Sequence, residues 1–160
     1  MGEKTRKHRI MSCPTERVGK CGEHLTASFL YSFGSDLVTM PHGSHADIVF
    51  EYKNILYKCQ VKTVTKKKKY ISKHTGRQYR TGWCWDIRRG ANTKSRRYGT
   101  KGTHNIDLYA LVCLPYKNII FVPFFKKTKI TFNDEEVKTA DSKKTLKYTL
   151  DLIKQDKLVS

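Results

Sequence analysis

Apolar side chains at Val18, Leu25, Phe29 and Phe33 recur at helical spacing, so a helix with one buried stripe is predicted from about Thr15 to Phe33. Pro14-Thr15-Glu16 reads as its start, with Thr15 as N-cap and Glu16 at the positive end of the dipole, and Gly34 as its stop. Gly19, Gly22 and Ala27 make that helix slim on the flank carrying Glu23, so a neighbour can approach closely there. The period then shortens to that of strands, at about Leu37–Met40, Ala46–Tyr52 and Ile55–Thr63. Lys53-Asn54 between the last two fits a tight antiparallel hairpin. Gly82–Arg88 reads as a further strand with Trp83, Trp85 and Ile87 on one face. Ile106–Leu114 and Ile119–Phe124 form a second hairpin, and a closing helix from about Asp141 to Gln155 carries Leu146, Leu150 and Ile153. The order is helix, three strands, an insertion, two strands and a helix. It predicts one mixed α and β domain over residues 15–160, behind a flexible basic arm at residues 1–14.

Charge changes this picture most in the insertion. The 160 residues carry a formal charge of +18, and residues 66–101 alone hold thirteen Lys or Arg against one acid, Asp86. Two thirds of the excess charge therefore lies in that stretch, interleaved with aromatic residues. Such density suits a polyanion, because each neutralised phosphate releases condensed counterions. Lys66, Lys67, Lys68 and Lys69 are expected to supply affinity. Arg77, Arg80, Arg88, Arg89, Arg96 and Arg97 add the bidentate geometry that reads guanine. Trp83 and Trp85, at period two, suit a core or subunit interface better than base stacking.

Composition excludes other classes. No apolar run is long enough to span a bilayer, and no apolar segment with a small-residue cleavage site follows the basic N-terminus. Five scattered cysteines read as reduced thiols, so the expected compartment is the cytoplasm, or a host's cytoplasm for a phage gene. His42 with His45, and Cys21 with His24, lack the second pair that a structural zinc site needs.

The candidate chemistry lies in Glu23, Asp47, Gln60 and Lys62. Gln60 and Lys62 share one face of the third strand. Asp47 stands six residues before Lys53 and Gln60 six after Asn54, so the hairpin sets them nearly abreast. A lysine in a strand of otherwise apolar character needs an anionic neighbour. One carboxylate, one amide oxygen and one ammonium at a strand edge, with Glu23 on the slim helix flank, suit magnesium-assisted phosphodiester hydrolysis. Spacing alone leaves an ordinary Asp47–Lys62 ion pair equally open.

His42-Gly43-Ser44-His45-Ala46-Asp47-Ile48-Val49, a short hairpin, and Cys59-Gln60-Val61-Lys62-Thr63 resemble the PD-(D/E)XK nuclease superfamily. The Gln-x-Lys form resembles the subgroup that contains intron-encoded homing endonucleases of the cyanobacterial tRNA-intron type. The match covers roughly Val18–Thr63, and Ile106-Asp107-Leu108-Tyr109-Ala110 resembles a later part of that subgroup. The resemblance implies a restriction-endonuclease-like core, with Asp47 as central metal ligand, Lys62 as catalytic lysine and Glu23 as auxiliary acid. Gln60 stands where most members carry Glu or Asp, which removes one negative charge from the metal site.

The expectation is a magnesium-dependent, site-specific endonuclease for double-stranded DNA, in which manganese substitutes; the resemblance alone implies products that carry a 5′-phosphate. One centre cuts one strand, so a homodimer or homotetramer is expected. A Holliday-junction resolvase and a non-catalytic nucleic-acid-binding protein are the alternatives. Asp107, at a strand start, reads first as a capping or salt-bridging residue, with assistance at the site as the lesser alternative.

Overall fold

Lys53 and Asn54 both adopt left-handed backbone, φ 53° and 60°, the pair of conformations a type I′ turn requires even without glycine. The turn joins β2 (Ile48–Tyr52) to β3 (Ile55–Val64) in antiparallel register, with Tyr52 opposite Ile55 and Ile48 opposite Cys59. The computed structural model describes residues 14–41, 44–87, 106–125 and 127–159. Most of the basic arm lies outside them, as do His42, Arg88, Arg89, Arg96 and Arg97.

Around that hairpin a five-stranded sheet is ordered β1-β2-β3-β6-β7, with β1 Leu37–Thr39, β6 Leu108–Cys113 and β7 Asn118–Pro123. Only the β3–β6 pair is parallel. All six residues of β6 are buried, because both faces of the sheet are covered there. On one face lie α1 (Pro14–Ser32) and α3 (Ser142–Val159), which bury Leu30, Leu146 and Leu150 against Phe50, Tyr57 and Val112. On the other face lies a second sheet, ordered β4 (Lys68–Ile71), β5 (Gln78–Asp86) and β8 (Lys129–Phe132), with the short α2 (Asp134–Thr139). Trp83, Trp85 and Ile87 pack there against Tyr109, Leu111 and Ile120.

The structure corrects several boundaries. Helix α1 begins at Pro14, so Thr15 lies inside its first turn and does not cap it. Its buried line runs through Gly22, Thr26, Ala27 and Leu30, while Leu25, Phe29 and Phe33 pack at the margin. The closest approach to the sheet uses small residues, and the large ones flank it. Gly34 has φ +89°, the left-handed stop expected of it. The first part of the basic insertion is folded sheet, with Lys68 and Lys69 already in β4. Strand β5 starts at Gln78, four residues before the expected Gly82, and ends at Asp86. Both tryptophans are core: Trp85 Nε1 donates to the Val112 carbonyl at 3.2 Å and Trp83 Nε1 to Asp134 at 2.9 Å.

Asp134 ties the second sheet to the first. Its carboxylate accepts from Lys67 Nζ at 2.8 Å, Trp83 Nε1 at 2.9 Å, Tyr116 Oη at 2.7 Å and Lys138 Nζ at 3.0 Å. The Lys67 ammonium foremost, then the indole and phenol, hold this carboxyl below the ordinary carboxylate range. Its contribution is therefore present above the ordinary value of 3.8 and is lost as pH falls toward the depressed folded value. Asp134→Asn is expected to lower the melting temperature at neutral pH. Melting curves of both proteins at a series of pH values should converge as pH drops below the ordinary carboxylate range; a constant gap down to the most acid pH would contradict it.

Candidate active site at the β2–β3 edge

Strand β3 outruns both of its neighbours, and an aspartate completes the ladder at each end. On the β2 side the Asp47 N–H donates to the Cys59 carbonyl at 2.9 Å, and Asp47 Oδ2 accepts from the Val61 N–H at 2.7 Å. On the β6 side the Asp107 N–H donates to the Lys58 carbonyl at 2.8 Å, and its Oδ2 accepts from the Lys58 N–H at 2.8 Å. Asp107 thus secures the start of β6, in keeping with a capping residue. Asp47 continues the register one step past the Ile48–Cys59 pair and lies beside Gln60, as the counting from the turn anticipates.

Gln60 and Lys62 stand opposite Tyr109 and Leu111 of β6, on the face turned toward the second sheet. Gln60 is buried, with 8% of its surface exposed. Among the described residues no carboxylate lies within ion-pair distance of the Lys62 ammonium, so the ordinary Asp47–Lys62 ion pair does not form. Burial pushes the Lys62 amine down from its ordinary 10.5, against the attraction of Asp47 and of Asp86 in β5. Burial likewise pushes Asp47 up from 3.8. The Val61 N–H opposes this shift, Glu23 adds to it, and Lys62 and Lys20 oppose it. Each partner is held toward its neutral form, the mark of charges kept in a poorly solvated place without direct pairing.

Helix α1 brings Glu23 to the same edge. Gly22 packs on Thr63 of β3 so closely that a Cβ there would overlap Thr63 Oγ1. The next side chain is Glu23, 18% exposed, paired with Lys20 Nζ at 2.5 Å. Lys20 also acts electrostatically on Asp47. It escaped the sequence reading, although its position three residues before Glu23 on a helix is the signal that could have found it. The structure therefore gathers Glu23, Asp47, Gln60 and Lys62, with Lys20 as a fifth member. Among the described residues no group of three or more His, Cys, Asp or Glu side chains gathers as a metal cage. The oxygen donors here are two carboxylates and one amide.

Beyond the end of β3, Lys66, Lys67 and Lys68 line a cavity of about 700 Å³ with Thr15 and Val18 of α1. Lys67 is held by Asp134, whereas Lys66, Lys68 and Lys69 are exposed. Arg80 lies over the Tyr70 ring, 5.0 Å from its centroid, and reaches Thr131 Oγ1 at 3.3 Å. Arg77 is exposed in the β4–β5 connection. Among the described residues no helix is long and apolar enough to cross a membrane.

No family model and no curated protein matches the sequence. A solved structure of a bacterial homing endonuclease, I-Ssp6803I, is similar over 94% of this chain and 100% of its own, with a TM-score of 0.54 and 17% identity. The fold is homing-endonuclease-like. At that identity the likeness speaks for the fold, and the chemistry stands on the residues above.

Two substitutions probe this site without DNA. Gly22→Ala is expected to destabilise by about 1–3 kcal/mol through overpacking, and adding Thr63→Ala should recover part of the loss in denaturant titrations. Lys62→Met should raise stability at neutral pH by about 1–2 kcal/mol, because a half-buried ammonium without a direct ion pair is replaced by an isosteric apolar chain. The folded-state pKa of Lys62 lies below its unfolded value, so the wild type gains stability as pH rises and the advantage of Lys62→Met fades toward pH 10.5. Thermal melts that show Lys62→Met less stable at pH 7 would reject the desolvation cost assigned to Lys62.

Proposed function

We propose that the protein is a metal-dependent endonuclease of the PD-(D/E)XK type that cuts duplex DNA at a specific site, as homing endonucleases do. The observation that carries this reading is Lys62: an ammonium held half-buried beside Asp47 and Gln60, without the direct ion pair that a structural lysine would make. The donor set fits magnesium, a hard cation that takes oxygen ligands and usually one or two carboxylates from the protein. Asp47, Glu23 and the Gln60 amide oxygen would hold it, and manganese would replace it. When bound, the ion supplies charge neutralisation at the scissile phosphate and a more acidic water.

The chain's own residues do the rest. The Val61 N–H fixes one oxygen of Asp47 and with it the direction of the other. Lys62 orients the attacking water and stabilises the charge that builds on the phosphorus oxygens as the water oxygen bonds to phosphorus and the 3′-oxygen leaves. Its depressed pKa eases proton movement at that amine. Lys66, Lys68, Lys69, Arg77 and Arg80, together with Arg88, Arg89, Arg96 and Arg97, track the DNA backbone and read bases. One such centre cuts one strand, so a homodimer or homotetramer brings two centres to the duplex.

The test is cleavage of a randomised duplex library and of a four-way junction, with magnesium or EDTA, by wild type and Lys62→Ala. Discrete cutting of one duplex sequence is expected, lost with EDTA and slowed about 10²–10³-fold in the variant, with DNA binding retained. Cutting confined to the junction would establish a resolvase. Tight, salt-sensitive binding with no cutting of any substrate would make it a nucleic-acid-binding protein.

A further inference from the structure

Among the described residues, Glu23 and Lys20 form the one short ion pair within the acidic site. Lys20 Nζ meets Glu23 Oε2 at 2.5 Å across one turn of α1. The two partners differ in freedom. The Glu23 side chain is 18% exposed and sits beside the close Gly22–Thr63 contact, whereas Lys20 is 55% exposed, with its ammonium reached by solvent. Glu23 is thus fixed by the fold, and Lys20 is a long, flexible cation laid over it. The two carboxylates repel each other, and Lys20 attracts both. With Lys62, the four charged groups sum to zero. A cation already covers the acid that a metal ion would need.

We propose that Lys20 is an exchangeable counter-ion of the metal site. Its ammonium holds the cation position on Glu23 in the metal-free protein and must leave when a divalent ion binds there. This extends the reading of Asp47 and Glu23 as metal donors and rests on it. The exchange breaks only an ion pair; Lys20 keeps its proton and swings into solvent on its four-carbon stem. Two consequences follow from competition between one ammonium and one divalent ion for a single carboxylate. Metal affinity in the DNA-free protein is held down, and it depends on the charge at position 20 more than on the stem that carries it. The device also keeps the two repelling acids tolerable until the ion arrives, which Lys62 alone, without a direct pair, does not achieve.

The experiment is titration of the full-length protein with manganese in the absence of DNA, following free Mn²⁺ by electron paramagnetic resonance. This reads metal uptake and not cleavage. Lys20→Met is expected to bind Mn²⁺ about fivefold more tightly than wild type, and Lys20→Arg to bind like wild type. The gain should shrink in high salt, where exposed charges are screened. Glu23→Gln combined with Lys20→Met should show no tightening over Glu23→Gln alone. Equal affinity in wild type and Lys20→Met would overturn the counter-ion role and leave the metal site standing. A wild type that takes up no Mn²⁺ and a Lys20→Met variant that takes up none either would overturn the metal site itself, and the counter-ion with it.

Discussion

The hydrogen bond from the Val61 N–H to Asp47 Oδ2 is the contact on which the geometry of this site depends. Strand β2 begins at Ile48, yet β3 runs on to Val64 beside β6, so a stretch of β3 has lost its partner on one side. A buried backbone N–H left unpaired there would cost about 1–3 kcal/mol. The carboxylate of Asp47 fills the vacancy, and the same bond that saves the sheet edge fixes the acid. Structure and the proposed chemistry therefore share one residue. Replacing Asp47 by an apolar residue would orphan a strand amide as well as remove the carboxylate proposed to hold the metal, so activity lost in such a variant would not be purely chemical in origin.

The opposite shifts of Asp47 and Lys62 belong together. Burial raises the first and lowers the second, and the distance between them is too great for a direct ion pair to repay it. A fold selected only for stability would close that gap or replace the lysine. The arrangement instead keeps two charges of opposite sign near each other without a direct ion pair. Under the proposed function, free energy withheld from the empty protein would become available to the complex with metal and phosphate. Lys20 on Glu23 offsets the excess negative charge from the solvent side.

Much of this was legible in the sequence because it rested on local rules. The two-residue turn at Lys53-Asn54 set the hairpin register, and equal counts from it put Asp47 beside Gln60. Gly34 ended α1, and the apolar runs at Ile106–Leu114 and Ile119–Phe124 marked the second hairpin. What failed depended on tertiary contact. The stripe of α1 was read from its largest residues, but a helix that must approach a strand closely does so on Gly22 and Ala27, which turns the large side chains to the margin. Strands β4 and β8 hid because Lys68–Ile71 and Lys129–Phe132 are short and partly charged, with only half of each pattern apolar. Helix α2 has six residues and is held by the Asn133–Glu136 capping box, a signal easily lost in a polar connection. Lys20 looked like an ordinary surface charge, because its importance lies in the company of Asp47, distant in sequence.

The folded first part of the basic segment bears on the proposed encounter with DNA. A flexible run of lysines gives affinity with little register, since its charges follow whatever phosphates are near. Here Trp83, Trp85 and Ile87 anchor β5 in the core, and Asp134 ties Lys67 of the preceding segment to the same framework. Arg80 is braced between Tyr70 and Thr131. Cations on a sheet have fixed spacing, and the same sheet packs against β6, the strand that pairs with β3. The distance between the sheet's exposed charges and the Asp47–Lys62 pair is then set by apolar packing rather than by chain flexibility. That coupling gives a reason for two tryptophans in the most basic part of the chain: they bury the inner face of the sheet whose outer residues carry the charge.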